Sequence, residues 1–186
     1  MRYVDAMGQE LPFSVETLAN APHPLIAVER RENGRLCAAT AGLRIDVSPE
    51  QLWKVLADLP NYHKRVPMMS RVAVADRRIA VDLKFRMSLF SVGFSFVADA
   101  ILDEGRSIEL RYVSGEPRDL AIRFDLQPIG DGKSSALQTR IGFDVDSLGW
   151  LVKVFLRHHP EIEYGIFPGC ALALVDTMRK AATGKL

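Results

Sequence analysis

The chain has 186 residues, 48% of them hydrophobic and 25% charged, a balance that excludes an intrinsically disordered or collagen-like polypeptide. Lys and Arg number 24 against 23 Asp and Glu, a net charge of +1. That is too small a field to recruit nucleic acid, and no nucleic-acid partner is expected. No apolar stretch reaches the roughly 18 residues of a membrane-spanning helix. The opening Met1-Arg2-Tyr3-Val4-Asp5 lacks the apolar run and cleavage site of a secretory signal, so the cytoplasm is the expected compartment. Cys37 and Cys170 lie far apart in apolar neighbourhoods and read as reduced core residues.

At roughly 100 to 200 residues per domain, the length predicts a single domain over residues 25–186 behind an appendage at 1–24. Within the appendage Ser14 can cap a short helix, which Pro22 and Pro24 keep from continuing. Strand patterning begins at Leu25. Asn33-Gly34 predicts a two-residue type I′ hairpin turn, with Val28 opposite Ala39 and Ile26 opposite Ala41. Ser48-Pro49-Glu50-Gln51 predicts a capping box, in which Ser48 accepts from the Gln51 amide and the Gln51 side chain reaches back. Leu52, Trp53 and Leu56 form the buried stripe of this helix, and Pro60 ends it. A second short helix follows, capped by Asn61 and closed by Pro67.

From Arg71 to Val145 the chain alternates with period two between turn residues, which predicts consecutive antiparallel strands with one polar face and one apolar face. Ser147 opens a last helical element whose Leu148, Leu151, Val152, Phe155 and Leu156 recur at helical spacing over the apolar face. Pro160 and Pro168 predict breaks near residues 159–161 and 168. Residues 157–169 are therefore a candidate gate. A final helical stretch from Gly169 to about Ala182 buries Cys170, Leu174 and Met178.

The order of elements, with the phrases Val47-Ser48-Pro49-Glu50-Gln51-Leu52-Trp53, Leu59-Pro60-Asn61-Tyr62, Tyr112-Val113-Ser114-Gly115 and Leu126-Gln127-Pro128, resembles the START-related helix-grip superfamily. Within it the polyketide cyclase/dehydrase and coenzyme Q-binding branch is the most similar. The resemblance implies an α+β fold: a curved antiparallel sheet of about seven strands wrapped around a long kinked C-terminal helix, with two short helices after the first core strand. It also implies a cavity between sheet and helix for a hydrophobic small molecule, which is the expected partner, with transient membrane contact.

The apolar strand face then supplies candidate ligand-binding residues. Phe85, Met87, Phe94, Phe96, Phe124 and Phe143 form the wall, Leu151 and Phe155 the lid, and Trp53 and Tyr62 the mouth. Tyr112 and Thr139 are the polar-tipped strand positions on that face, and His159 turns inward if the helical phase survives Pro160. The same side chains can also meet in a solid core. No carboxylate pair faces inward, and adjacent His158 and His159 point roughly 100° apart on a helix, so neither a catalytic set, a metal nor another cofactor is expected. Three functions stay open: a carrier of a lipid, quinone, isoprenoid or polyketide-like molecule; a cyclase or dehydratase using Tyr112, Thr139 or His159; and a protein-interaction module with a filled core.

Overall fold

A computed structural model describes residues 11–87 and 90–185. In chain order, Ser14 accepts from the Thr17 amide at 3.1 Å and caps helix α1 (Val15–Asn20). Strands β1 (Leu25–Arg30) and β2 (Leu36–Ile45) follow, then helix α2 (Pro49–Ala57). A 3-10 turn at Leu59–Asn61 leads into the single-turn helix α3 (Tyr62–Arg65). Six further strands are β3 (Met69–Ala75), β4 (Arg78–Met87), β5 (Phe90–Asp103), β6 (Ser107–Gly115), β7 (Ala121–Ile129) and β8 (Ser134–Gly142). Helices α4 (Trp150–His158) and α5 (Glu163–Ala182) complete the chain.

The strands form one antiparallel sheet in the order β1-β2-β8-β7-β6-β5-β4-β3. It has eight strands where about seven were expected, because β1 and β3 both pair along full hairpins and extend the two edges. With α5 laid across its concave face, this is the helix-grip arrangement that the element order implied.

Four local expectations are corrected. Val28 faces Ala39 and Ile26 faces Ala41 as predicted, but the turn is not type I′. Gly34 has φ of 80° while Asn33 stays outside the positive region, and the Gly34 amide donates to the Arg31 carbonyl at 2.9 Å. A register shift beyond Glu29 restores the pairing, so the bulge absorbs the residue that the turn adds. Ser48 does accept from the Gln51 amide at 3.3 Å, yet the Gln51 side chain donates to the Ala182 carbonyl at 2.8 Å and ties α2 to the end of α5. Asn61 donates to the Asp58 carboxylate at 2.9 Å and makes no side-chain cap on α3. Finally, the chain breaks after His158, where Pro160–Ile162 is a 3-10 turn, but α5 begins at Glu163 and runs through Pro168. Proline there removes one intrahelical donor, while Glu163, Phe167 and Ala171 are buried on either side of it and hold the helix by packing.

The N-terminus of α5 is anchored through a buried carboxylate. Glu163 accepts from Arg35 Nε at 2.8 Å and from the Leu36 amide at 3.2 Å. The same guanidinium donates through Nη1 to Asp146 at 3.1 Å. One side chain thus joins the start of β2, the 3-10 turn at Val145–Ser147 and the start of α5.

The convex face is not uniformly polar and wet. Thr40, Gly42 and Gln138 are buried there because residues 11–20 lie over them. Gln138 clamps the backbone of Phe13, donating to its carbonyl at 2.8 Å and accepting from its amide at 3.3 Å. A Cβ on Gly42 would come within 2.9 Å of Phe13 and 3.0 Å of Leu18, so glycine is what allows α1 to approach the sheet. Beside them buried Arg123 and Asp125 neutralise each other, with the closest contact at 2.8 Å.

Candidate ligand-binding site

The concave face divides into two halves. Over β2, β8 and β7 the inward side chains Ala39, Ala41, Leu137, Ile122 and Phe124 are buried; β2 and β8 take the weight of α5, whose Ala171, Leu174, Val175 and Met178 are buried in the same core. Phe143 packs on Phe167 with ring centroids 4.8 Å apart. Tyr62 meets Phe124 edge to face at 6.3 Å, an arrangement that favours aromatic pairs. The Tyr62 hydroxyl donates to the Leu56 carbonyl at 2.6 Å, and burial pushes its phenol well above its ordinary range.

Over β3 to β6 the inward Ile79, Val81, Phe96, Ala98, Ile108 and Leu110 are buried as well, and Val72, Leu83, Phe94 and Tyr112 form a half-buried patch among them. Leu83 and Phe94 face each other across β4 and β5, and Val72 faces Val81 across β3 and β4. Half-buried Met68 flanks this side, its carbonyl accepting from the Lys84 amide at 2.8 Å. Tyr112 donates to the Gly115 carbonyl at 3.1 Å. Gly115 itself, with φ of 101°, lies so close to the Ser95 carbonyl that no Cβ fits, which lets the β6 end fold inward against β5.

A family model described as polyketide cyclase/dehydrase and lipid transport matches residues 45–160, the stretch from the end of β2 to the break after α4. The chain belongs to this family. A search of curated proteins finds none that matches. Among solved structures, a START superfamily protein from Mycobacterium smegmatis superposes with a TM-score of 0.58 at 14% identity, over 81% of this chain and 99% of that one. The Zhui aromatase/cyclase from Streptomyces sp. R1128 gives 0.54 at 13% identity, over 87% and 94%. A STAR-related lipid transfer protein from Xanthomonas axonopodis gives 0.53 at 11% identity, over 88% and 96%. These likenesses show the shared fold, and the family match supports a hydrophobic ligand-binding or polyketide cyclase-like role.

In this family member the predicted site residues separate by burial. Tyr62, Phe96, Phe124, Thr139 and Phe143 are core, whereas Trp53, Phe94 and Tyr112 are half-buried. The side chains of Phe85, Met87, Leu151 and Phe155 lie outside the described part of the structure. His159 does not turn inward: the 3-10 turn at 160–162 breaks the helical phase, and the imidazole is exposed with Nδ1 3.1 Å from Glu161. Val72, Leu83 and Met68 join the half-buried group without having been singled out, although the alternation already placed Val72 and Leu83 on the apolar face.

Thr139 stands apart from the other polar side chains on the described concave strands. Ser135 donates to the Val47 carbonyl at 2.8 Å and Tyr112 to Gly115, but the Thr139 hydroxyl is fully buried without a hydrogen-bond partner. It sits in register with Ala41 on β2 and Phe124 on β7. An unpaired buried hydroxyl costs about 1–3 kcal/mol. A groove of about 610 Å³ lined by Leu11, Arg106, Arg123, Asp125 and Gln127 opens elsewhere, beside the N-terminal segment, and contains none of the predicted residues. Its ion pairs and mixed walls do not suit an apolar guest. Among the described residues no helix is long and apolar enough to cross a membrane.

Proposed function

We propose that this protein is a non-catalytic, cytoplasmic carrier of an apolar small molecule of lipid, quinone, isoprenoid or polyketide-like type, held on the open half of the concave face. The observation that carries the reading is the half-buried apolar wall of Val72, Leu83, Phe94 and Tyr112 in a sheet whose other half is closed by α5. Apolar area removed from water is worth about 25 cal/mol per Å², so a lipid-sized guest is retained there with few polar contacts. Trp53 stands at the margin of the wall, and the sequence pattern alone nominates Phe85, Met87, Leu151 and Phe155 for the rest of wall and lid. Phe96, Phe124 and Phe143, with Tyr62, back it from the core. Thr139, fully buried on β8 in the closed half, meets the guest only if the guest extends under α5, where its hydroxyl would bond an oxygen of an oxygenated molecule. The described concave strand positions carry no carboxylate, histidine or lysine, which favours carriage over acid–base chemistry. His159, at the surface, has no part in it. The free thiols Cys37 and Cys170 suit a reducing compartment, and burial raises the Cys170 thiol above its ordinary range.

Native mass spectrometry with organic extraction of freshly purified protein should yield a bound apolar compound. In the same protein, Phe94→Asp should weaken uptake of an apolar fluorescent probe by at least about thirtyfold, since a carboxylate against the guest must be desolvated, whereas Phe94→Leu should retain most of it. Equal losses in the two variants, or a wild type that takes up no probe, would refute the reading.

A further inference from the structure

Among the described residues, helix α4 buries one stripe and leaves the other exposed. Leu156 is buried and Val152 half-buried on the side facing the fold. The opposite stripe is Trp150, Lys153, Val154, Arg157 and His158, at i, i+3, i+4, i+7 and i+8, and all five are exposed. Positions at this spacing lie on one face of a helix. Trp150 is 73% exposed and Val154 47%, a large cost for an indole that could have been buried. The stripe holds two permanent cations and no carboxylate. Of the acids just before it in sequence, Asp144 holds Arg118 at 3.2 Å and Asp146 holds Arg35 at 3.1 Å, with Lys153 only a lesser influence on Asp146. Glu161, beyond the helix end, is 3.1 Å from His159.

We propose that this outer stripe of α4 docks on an anionic lipid bilayer, with Trp150 and Val154 entering the headgroup region while Lys153 and Arg157 bind lipid phosphates. Charge complementarity selects an anionic surface, and the indole selects the water–hydrocarbon boundary, where Trp is enriched. Size decides between a bilayer and an acidic protein. A nine-residue helix is about 13 Å long at 1.5 Å per residue, and one stripe of it falls well short of the roughly 800 Å² per partner of a specific protein interface. Shallow docking on a bilayer needs only a few apolar side chains and a few cations. Gly149, with φ of 93°, turns the chain just before Trp150, and the 3-10 turn at 160–162 releases it just after His158, so α4 is bounded by a bend at each end. The purpose of docking, delivery of an apolar cargo from or to the bilayer, rests on the carrier reading, but docking itself does not.

The test is co-sedimentation of the full chain with vesicles of phosphatidylcholine, with and without phosphatidylglycerol. Binding is expected only to the mixed vesicles, weakening as salt is added. A basic residue near an anionic surface contributes about fivefold in affinity, so Lys153→Glu with Arg157→Glu should bind at least about thirtyfold more weakly. Trp150→Ser should also bind more weakly and lose the blue shift in tryptophan emission that accompanies docking. Both variants change exposed positions, and unchanged thermal melts establish that they fold. Absence of binding to the mixed vesicles, or binding indifferent to either variant, overturns the proposal. So does soluble polyglutamate binding as tightly as the vesicles with no dependence on Trp150, which would identify an acidic polypeptide as the partner. Vesicle binding without probe uptake would leave docking standing and remove the carrier. Probe uptake without vesicle binding would do the reverse.

Discussion

The two halves of the concave face are built from the same alternation and end in different states. On β2, β8 and β7 the inward side chains are small or well matched to α5, and Ala39, Ala41, Leu137 and Phe124 lose nearly all contact with solvent. On β3 to β6 the inward Ile79, Val81, Phe96, Ala98 and Leu110 are just as buried, but Val72, Leu83, Phe94 and Tyr112 remain half-buried. The difference is made by where the long helix lies, since α5 is fastened at one end by Arg35, Glu163 and Leu36 and at the other by Gln51 to the Ala182 carbonyl. On the carrier reading, stability and binding thereby fall to separate parts of one sheet face.

The largest expected effect follows from that division. Phe124→Ala, in the filled half, should cost about 3–5 kcal/mol, as truncating a closely packed core aromatic does. Phe94→Ala, in the open half, should cost about half of that or less, because part of the ring is already in water. Urea titrations of the two variants measure both. Equal losses would mean that the two halves are packed alike and that the exposed wall is a feature of shape rather than of function.

The halves were not equally legible in the sequence. Strand register, the apolar face and the antiparallel run follow from period-two alternation, and pairing at Val28 with Ala39 followed from Asn33-Gly34 even though the turn itself is of another kind. The cap at Ser48 was legible because it is local. The second bond of that cap was not, since Gln51 had a distant competitor in the Ala182 carbonyl. The passage of α5 through Pro168 and the burial of Gly42 under Phe13 and Leu18 likewise depend on contacts between segments far apart in the chain. For the site, alternation named Phe94 and Tyr112 together with Phe96 and Phe124, because it reports which face a residue is on. It cannot report how far along that face the helix reaches.

Thr139 probes whether the filled half is only structural. Thr139→Val keeps the shape of the side chain and removes the one unpartnered hydroxyl on the described concave strands. If nothing in the ligand-free protein bonds to it, the variant should be more stable by about 1 kcal/mol, read as a higher urea midpoint. If the hydroxyl serves the guest, the same variant should hold an oxygenated apolar probe several-fold more weakly and a hydrocarbon probe unchanged. A loss of stability would instead assign Thr139 to the core and take the hydrogen bond out of the proposed site.

The smallest effect tests the fastening itself. Asp146 accepts from Arg35 at 3.1 and 3.2 Å, and these hydrogen bonds hold its carboxyl below the usual carboxylate range despite partial burial, with Lys153 and Arg31 adding to the pull. A carboxyl whose folded value is depressed stabilises the fold above its unfolded value of about 3.9, and that contribution is lost as pH falls through the folded value. Because Arg35 and Asp146 are each about a third exposed, at 35% and 30%, solvent screening limits the contribution to about 0.5–1 kcal/mol. Asp146→Asn should therefore be less stable than the parent by that amount near neutral pH, and the gap should close below about pH 4. Hydrogen exchange locates the effect. Amides at the start of α5, from Glu163 to Phe167, should exchange faster in the variant, while those of β4 and β5 keep the parent's rates. A gap that persists in acid, or faster exchange spread evenly over both halves, would show that Arg35 does not fasten α5 to the filled half through this pair.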